Sequence, residues 1–130
     1  MPALSQRHLL DVNLLLAAIW ANHPQHSKAF AWLAGKEVLL CPLSELGFLR
    51  ISTNRKVINA PMDKARKLLD QFAKDRRADR VADDLAALES HPETSQQVTD
   101  YYLADLAAKH NAKLATFDTN IAHPAVESIH

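Results

Sequence analysis

The segment Arg7-His8-Leu9-Leu10-Asp11 ends a short apolar run on an aspartate. This length and polarity are typical of a buried strand in a parallel sheet, and the Leu- and Ala-rich residues 12–22 that follow predict a helix. A second segment of the same form, Lys113-Leu114-Ala115-Thr116-Phe117-Asp118, lies near the other end of the chain. Because ligand sites in parallel α/β sheets form outside the carboxyl ends of the strands, we expect Asp11 and Asp118 to converge.

Strand and helix signals alternate along the rest of the chain. Residues 37–41 read as a second buried strand, and short strands are predicted at 80–83 and 126–129. Helices are predicted over 24–34 with Gly35 as the stop, from Pro42 onward, over 64–75 with Asp63 as the N-cap, over 84–90, and from Val98 to about His110 behind a capping box at Thr94–Gln97. This order predicts an α/β fold, in which helices cover both faces of a central parallel sheet.

The 130 residues suit a single domain spanning 1–130, and 48% apolar residues suffice for a core. Lys+Arg and Asp+Glu are equal at 15 each, so net charge does not indicate a large nucleic-acid footprint. Cys41 is the one cysteine, which excludes an internal disulfide and is interpreted as a small buried residue. Asp11 and Asn13 interrupt the first apolar run, which argues against a signal peptide. We therefore expect a cytoplasmic protein that does not enter the membrane.

Two further acids fall at positions where they can join Asp11 and Asp118. Glu45 lies in the first turns of the helix after the second strand, and Asp100 lies near the start of the long helix. Each acid alone has an ordinary explanation, such as helix capping, compensation of a helix dipole or a turn. Carboxylates gathered at one edge repel one another unless a proton or a cation compensates, and Mg²⁺ prefers oxygen ligands. The set thus predicts an acidic metal site.

Four segments carry these acids, and they resemble the acidic motifs of PIN-domain ribonucleases, in particular the VapC-type toxins of bacterial type II toxin–antitoxin pairs. The segments are Leu10–Leu15, Pro42–Phe48, Val98–Ala104 and Leu114–Asp118, and the resemblance extends from about Arg7 to Ile129. It implies a three-layer α/β/α fold and an endoribonuclease that depends on Mg²⁺ or Mn²⁺ and acts as a toxin. It also implies a cognate antitoxin, an RNA substrate and a homodimer as partners.

Matching the motifs position by position gives the residues their implied roles. The metal-binding and catalytic acids are Asp11, Glu45, Asp100 and Asp118, supported by the polar side chains of Asn13 and Thr116. The family often has an acid or an aromatic residue just beyond the last aspartate, where this chain has Asn120 and Ile121.

Basic and apolar residues outside the motifs suggest contact surfaces. Arg50, Arg55 and Lys56 follow Glu45 and are candidates for an RNA-binding rim, whereas the basic stretch from Lys64 to Arg80 is interleaved with acids and reads as a solvated surface with ion pairs. Antitoxin or dimer contacts are expected on apolar helix surfaces, drawn from Leu14, Leu15, Ile19 and Trp20 or from Phe30 and Trp32.

Two alternatives use the same residues differently. A non-catalytic PIN-like module that binds RNA or a protein would not need all four acids. A phosphotransfer domain of the receiver type also places acids at strand ends, but it requires a second acid beside the first one. Asp11 has no acidic neighbour, which argues against that class.

Overall fold

A computed structural model describes residues 6–130, and in this part of the chain five strands form one sheet. Every neighbouring pair is parallel, in the order β3-β2-β1-β4-β5. The strands are β1 Arg7–Leu10, β2 Glu37–Leu40, β3 Asp79–Arg80, β4 Ala112–Thr116 and β5 Val126–Ser128. The predicted central parallel sheet is therefore confirmed, with β1 in its middle.

Five α-helices connect these strands within the described residues. They are α1 Val12–Ile19, α2 His26–Leu33, α3 Pro42–Thr53, α4 Met62–Asp75 and α5 Val98–Lys109, and short 3₁₀ turns occupy Ala87–Glu89 and Ser95–Gln97. Gly35 follows α2 with a φ of +76°, a conformation that glycine adopts without strain, so the predicted stop is correct. None of these helices is long and apolar enough to cross a membrane.

The alternation of side chains along β1 divides the core into two layers. Leu10 packs with residues of α1, α2, α3 and α4 on one face of the sheet, whereas Leu9 packs with α5 on the other. Both leucines are fully buried. Helices therefore cover both faces, which gives the three-layer α/β/α arrangement that the sequence predicted. Cys41 lies in the α5 layer and is buried as expected, and burial raises the pKa of its thiol.

The order of the strands reverses beside β1. The first connections run outward from β1 to β2 and then to β3, after which the chain crosses by α5 to β4 on the other side of β1. A crevice opens at such a switch point, outside the carboxyl ends of the two strands. Asp11 follows β1 and Asp118 lies two residues beyond β4, so both acids stand at this crevice.

Several local expectations were wrong. Leu14 and Leu15 are fully buried and Trp20 is nearly so, because the sheet, α2 and α3 enclose α1. These three residues offer no surface for a partner. Phe30 is 59% exposed and does offer one. Val98, the first residue of α5, is 53% exposed.

Element boundaries near the third strand also differ from expectation. The strand predicted at 80–83 is the shorter β3, Asp79–Arg80, and the helix predicted over 84–90 is only the 3₁₀ turn at Ala87–Glu89. Pro61 rather than Asp63 occupies the N-cap of α4. Proline supplies no side-chain oxygen for capping, and Asp63 instead accepts a hydrogen bond from the Lys64 amide inside the first turn.

Candidate active site at the strand-order reversal

Asp11 is held in one orientation by two hydrogen bonds. As the N-cap of α1, its Oδ1 accepts from the Val12 amide at 2.8 Å, and its Oδ2 accepts from the Thr116 hydroxyl at 2.8 Å. Its side chain is nearly buried, with 7% of the residue exposed. Burial raises the pKa of this carboxyl, the two hydrogen bonds oppose the rise, and the charge of Asp118 adds to it. The capping role and the site role thus coincide in one residue.

Thr116 joins the first and last acidic segments. The hydroxyl is fully buried, and its oxygen accepts from the Asn13 amide group at 3.1 Å and from the Asp118 backbone N–H at 3.1 Å while it donates to Asp11. Asn13 closes the network by accepting from the Phe117 backbone N–H at 3.3 Å. The structure therefore places both expected supporting residues, Asn13 and Thr116, in direct contact between the two strand ends.

Asp100 and Asp118 complete a group of three aspartates. Asp100 lies in the first turn of α5, where burial raises its pKa to about 6, helped by the charges of Asp11 and Asp118. Asp118 is half-buried, and its Oδ1 accepts from the Asn120 amide at 2.8 Å, which is the turn that the sequence allowed. Three carboxyl groups from distant segments are thus close enough for electrostatic interaction.

Glu45 points elsewhere. Its carboxylate forms a two-point ion pair with Arg80, in which Nε lies 3.1 Å from Oε1 and Nη2 lies 3.3 Å from Oε2. Glu45 is not among the charges that raise the pKa of Asp11 or Asp100. Sequence reasoning assigned Arg80 to the solvated basic stretch and missed this partnership. Since 35 residues separate the two, only the pairing of β2 with β3 brings them together.

A cleft of about 440 Å³ opens at the aspartates. Asp11 and Asp100 line it, and α3 supplies one wall with residues spaced three and four apart: Leu43, Leu46, Gly47 and Arg50. A Cβ at Gly47 would lie 2.7 Å from Cγ2 of Val12, so a larger residue there would displace the Val12 side chain. Of the three expected rim residues, Arg50 lines this cleft, whereas Arg55 and Lys56 are exposed in the turn after α3 and are not part of its wall.

The donor set suits a hard divalent cation. Among residues 6–130, no three His, Cys, Asp or Glu side chains form a ready-made metal cage. Mg²⁺ does not need one, because it is usually bound by one or two carboxylates and keeps several waters or substrate phosphates. Burial, and to a smaller extent the neighbouring carboxylates, raises the pKa of Asp11 and Asp100, and a cation would stabilise the ionised form of both groups. The three aspartates are therefore chemically suited to such an ion.

The loop after Asp118 is fastened to α5. His123 donates from Nε2 to Asp105 at 2.7 Å, since its Nδ1 accepts from the Ala125 amide, and the Tyr101 hydroxyl donates to the Ala122 carbonyl. Asp105 thus holds the loop in place and is not one of the three aspartates of the cleft. No spacing pattern in the sequence pointed to His123 as its partner.

The chain is similar to known proteins over most of its length. The family model described as PIN domain matches residues 8–127. Ribonuclease VapC38 of Mycobacterium tuberculosis is 34% identical over 121 residues, covering 87% of this chain and 86% of that protein. Ribonuclease VapC44 of the same species is 34% identical over 130 residues, covering 92% of each chain.

Solved structures show the same fold at lower identity. VapBC2 from Rickettsia felis, bound to a DNA fragment from its promoter, matches with a TM-score of 0.63 at 16% identity over 95% of this chain and 98% of that one. The sarcin–ricin loop cleaving toxin VapC20 of Mycobacterium tuberculosis gives a TM-score of 0.65 at 13% identity, over 87% of this chain and 91% of that one. The family match, the relatives and the four acidic segments agree, and the chain belongs to the PIN domain family, among its VapC-type toxin ribonucleases.

Proposed function

We propose that this protein is an endoribonuclease that depends on Mg²⁺ or Mn²⁺ and acts as the toxin of a toxin–antitoxin pair. The observation that carries the proposal is the convergence of Asp11, Asp100 and Asp118 at the switch point. Burial raises the pKa of Asp11 and of Asp100 there, and the charges of neighbouring aspartates add to both rises. The ribonuclease names of its relatives support the reaction class. Glu45 is the fourth acid of the proposed metal site.

In this proposal, the residues of the cleft have different roles in phosphodiester hydrolysis. A bound cation would lower the pKa of a coordinated water and stabilise charge on the scissile phosphate. Asp11 presents a carboxylate that Thr116 and the α1 N-terminus keep in place. Asp100 has a pKa of about 6 in the metal-free protein, and a bound cation would favour its ionised form, which is the form that can bind metal. Arg50 supplies a guanidinium for an RNA phosphate at the mouth of the cleft.

The toxin role requires an antitoxin, and an apolar surface is present on the α1–α4 side of the sheet. A cleft of about 580 Å³ lies between α1, α2 and α4, and its apolar walls include Ile19, Phe30, Leu68 and Phe72. Exposed apolar surface of this kind marks interaction sites. In the proposal, an antitoxin covers part of this surface and also blocks the cleft at the aspartates. A homodimer forms through another face.

Cleavage of RNA by the purified protein tests the reaction. Total RNA is incubated with Mg²⁺ or Mn²⁺, with EDTA, and with the double variant Asp11→Asn/Asp100→Asn as the matched control. We expect discrete fragments only from the wild type with metal. Equal cleavage by the variant, or full activity in EDTA, contradicts the proposal. An absence of cleavage together with tight RNA binding would favour the non-catalytic PIN-like module.

Growth after induction tests the toxin role separately. We expect the wild-type chain expressed alone to arrest growth, while the double variant Asp11→Asn/Asp100→Asn allows it. Growth unaffected by a wild-type protein that cleaves RNA in vitro would reject the toxin role and retain the nuclease.

A further inference from the structure

We infer that Arg80 is a positioning residue that holds Glu45 away from the three aspartates, so that Glu45 joins a bound cation only when this ion pair opens. The inference rests on the proposed metal site. It begins from the two-point contact between the carboxylate and the guanidinium, with three donor–acceptor distances of 3.1 to 3.3 Å.

Helix α3 separates two crevices, and Glu45 lies in the second one. Residues Leu43, Leu46, Gly47 and Arg50 form the stripe that faces the aspartate cleft. Glu45 and Leu49, one turn apart, face a smaller crevice of about 220 Å³ that Leu69 and Asp70 of α4 and Arg80 complete. While it is paired with Arg80, the Glu45 carboxylate therefore faces this smaller crevice and does not line the aspartate cleft.

The burial of Glu45 explains why its charge needs a partner. Its side chain is only 17% exposed, whereas that of Arg80 is 51% exposed. A carboxylate so largely removed from water requires a compensating charge. Arg80 provides it in this structure, and a divalent cation beside the aspartates would be the other source of positive charge. Arg80 and the cation cannot bind the same carboxylate oxygens of Glu45 at the same time.

The ion pair is weak enough for a cation to replace Arg80. A pair with a half-exposed partner changes an equilibrium constant by up to about fivefold, so a cation can displace the guanidinium from Glu45. Once released, the Arg80 guanidinium would stay charged in the smaller crevice, where it could donate hydrogen bonds to an RNA phosphate. Arg80 thus lowers the affinity of the free protein for the cation.

A double-mutant cycle on Mn²⁺ affinity tests this coupling in the full-length protein. Free Mn²⁺ is measured by electron paramagnetic resonance during titration of wild type, Arg80→Gln, Glu45→Gln and the combined variant. We expect Arg80→Gln to bind Mn²⁺ about fivefold more tightly than wild type. Glu45→Gln should change the affinity less than twofold in the wild-type background but about fivefold in the Arg80→Gln background.

Two further variants separate a specific role from loss of charge. Arg66→Gln removes the same charge from the same crevice without breaking the pair, so it should tighten Mn²⁺ binding less than Arg80→Gln does. Arg80→Lys retains the charge and should restore most of the wild-type affinity. Far-ultraviolet circular dichroism verifies that each variant is folded.

The outcomes distinguish this inference from the proposed function. Suppose that Mn²⁺ binds and that Asp11→Asn/Asp100→Asn abolishes this binding. If Glu45→Gln then changes the affinity equally in the wild-type and Arg80→Gln backgrounds, the role of Arg80 is overturned and the metal site is retained. The role of Arg80 is also overturned if Arg66→Gln and Arg80→Gln change the Mn²⁺ affinity equally. Absence of any aspartate-dependent Mn²⁺ binding in the wild type overturns the metal site, and the inference falls with it.

Discussion

The hydroxyl of Thr116 donates a hydrogen bond of 2.8 Å to Oδ2 of Asp11, although 105 residues separate the two in the chain. The contact joins the carboxyl ends of β1 and β4, the central strand and its neighbour across the strand-order reversal. Because this bond stabilises the ionised carboxylate, it opposes the rise in the pKa of Asp11 that burial causes. Thr116 therefore keeps a nearly buried acid available to a cation.

Replacing Thr116 by valine should weaken both stability and cation binding. The Asp118 amide and Asn13 lose a buried acceptor and Asp11 loses a donor, which costs roughly 1–3 kcal/mol of the free energy of unfolding. The higher pKa of Asp11 should also weaken Mn²⁺ binding near neutral pH. Urea denaturation and Mn²⁺ titration measure the two effects. Thr116→Ser, which keeps the hydroxyl, is the control, and a valine variant as stable as the serine variant would contradict the prediction.

Asp11→Asn should reduce RNA cleavage at least about 100-fold while the protein remains folded. Asparagine caps helices as well as aspartate does, so the start of α1 is preserved, and one charge leaves a group of acids that repel one another. Cleavage rates and thermal melting are compared with those of Asp63→Asn, an exposed acid outside the cleft. Full activity of Asp11→Asn would remove this residue from the site, and a large fall in Tm would show that its role is structural.

The sequence was sufficient for the sheet edge because short apolar runs mark the two central strands. Leu9 and Leu10 of β1, like Leu114 and Ala115 of β4, are buried on opposite faces of the sheet. Asp11 and Asp118 each follow one of these runs closely, so both could be placed at the strand ends from the sequence. Thr116 and Asn13 were found through the resemblance to the family. Their hydrogen bonds to each other required the parallel register of Leu10 with Ala115.

The sequence was insufficient where the orientation of a side chain on a helix decides the contact. Glu45 could be placed at the start of α3, but its direction depends on how far α3 is rotated against α4, and that is set by packing around Phe48 and Leu69. The partnerships of Glu45 with Arg80 and of Asp105 with His123 join distant elements through single side chains. Such pairs leave no periodic signal.

Asp100 should make stability fall as pH rises from about 4 to 6 in metal-free protein. Its pKa is raised from 3.8 to about 6, so in this interval the folded state binds a proton that the unfolded state has released. Asp100→Asn removes the dependence and should raise Tm more at pH 7 than at pH 4. Thermal melting in EDTA at both pH values measures this. An equal rise in Tm at pH 4 and at pH 7 would show that the pKa of Asp100 is not raised in the folded protein.

Arg50→Gln should weaken RNA binding more than Arg55→Gln, because Arg50 lines the aspartate cleft and Arg55 lies in the turn beyond it. Each contact with a single-stranded phosphate adds about 0.7 to the salt dependence of log Kd. We therefore expect the slope for Arg50→Gln to fall by about this amount and that for Arg55→Gln to change little. Fluorescence anisotropy of a labelled RNA, in the uncleaving Asp11→Asn background, measures Kd between 50 and about 200 mM salt. Equal slopes for the two variants would place the RNA away from the wall formed by α3.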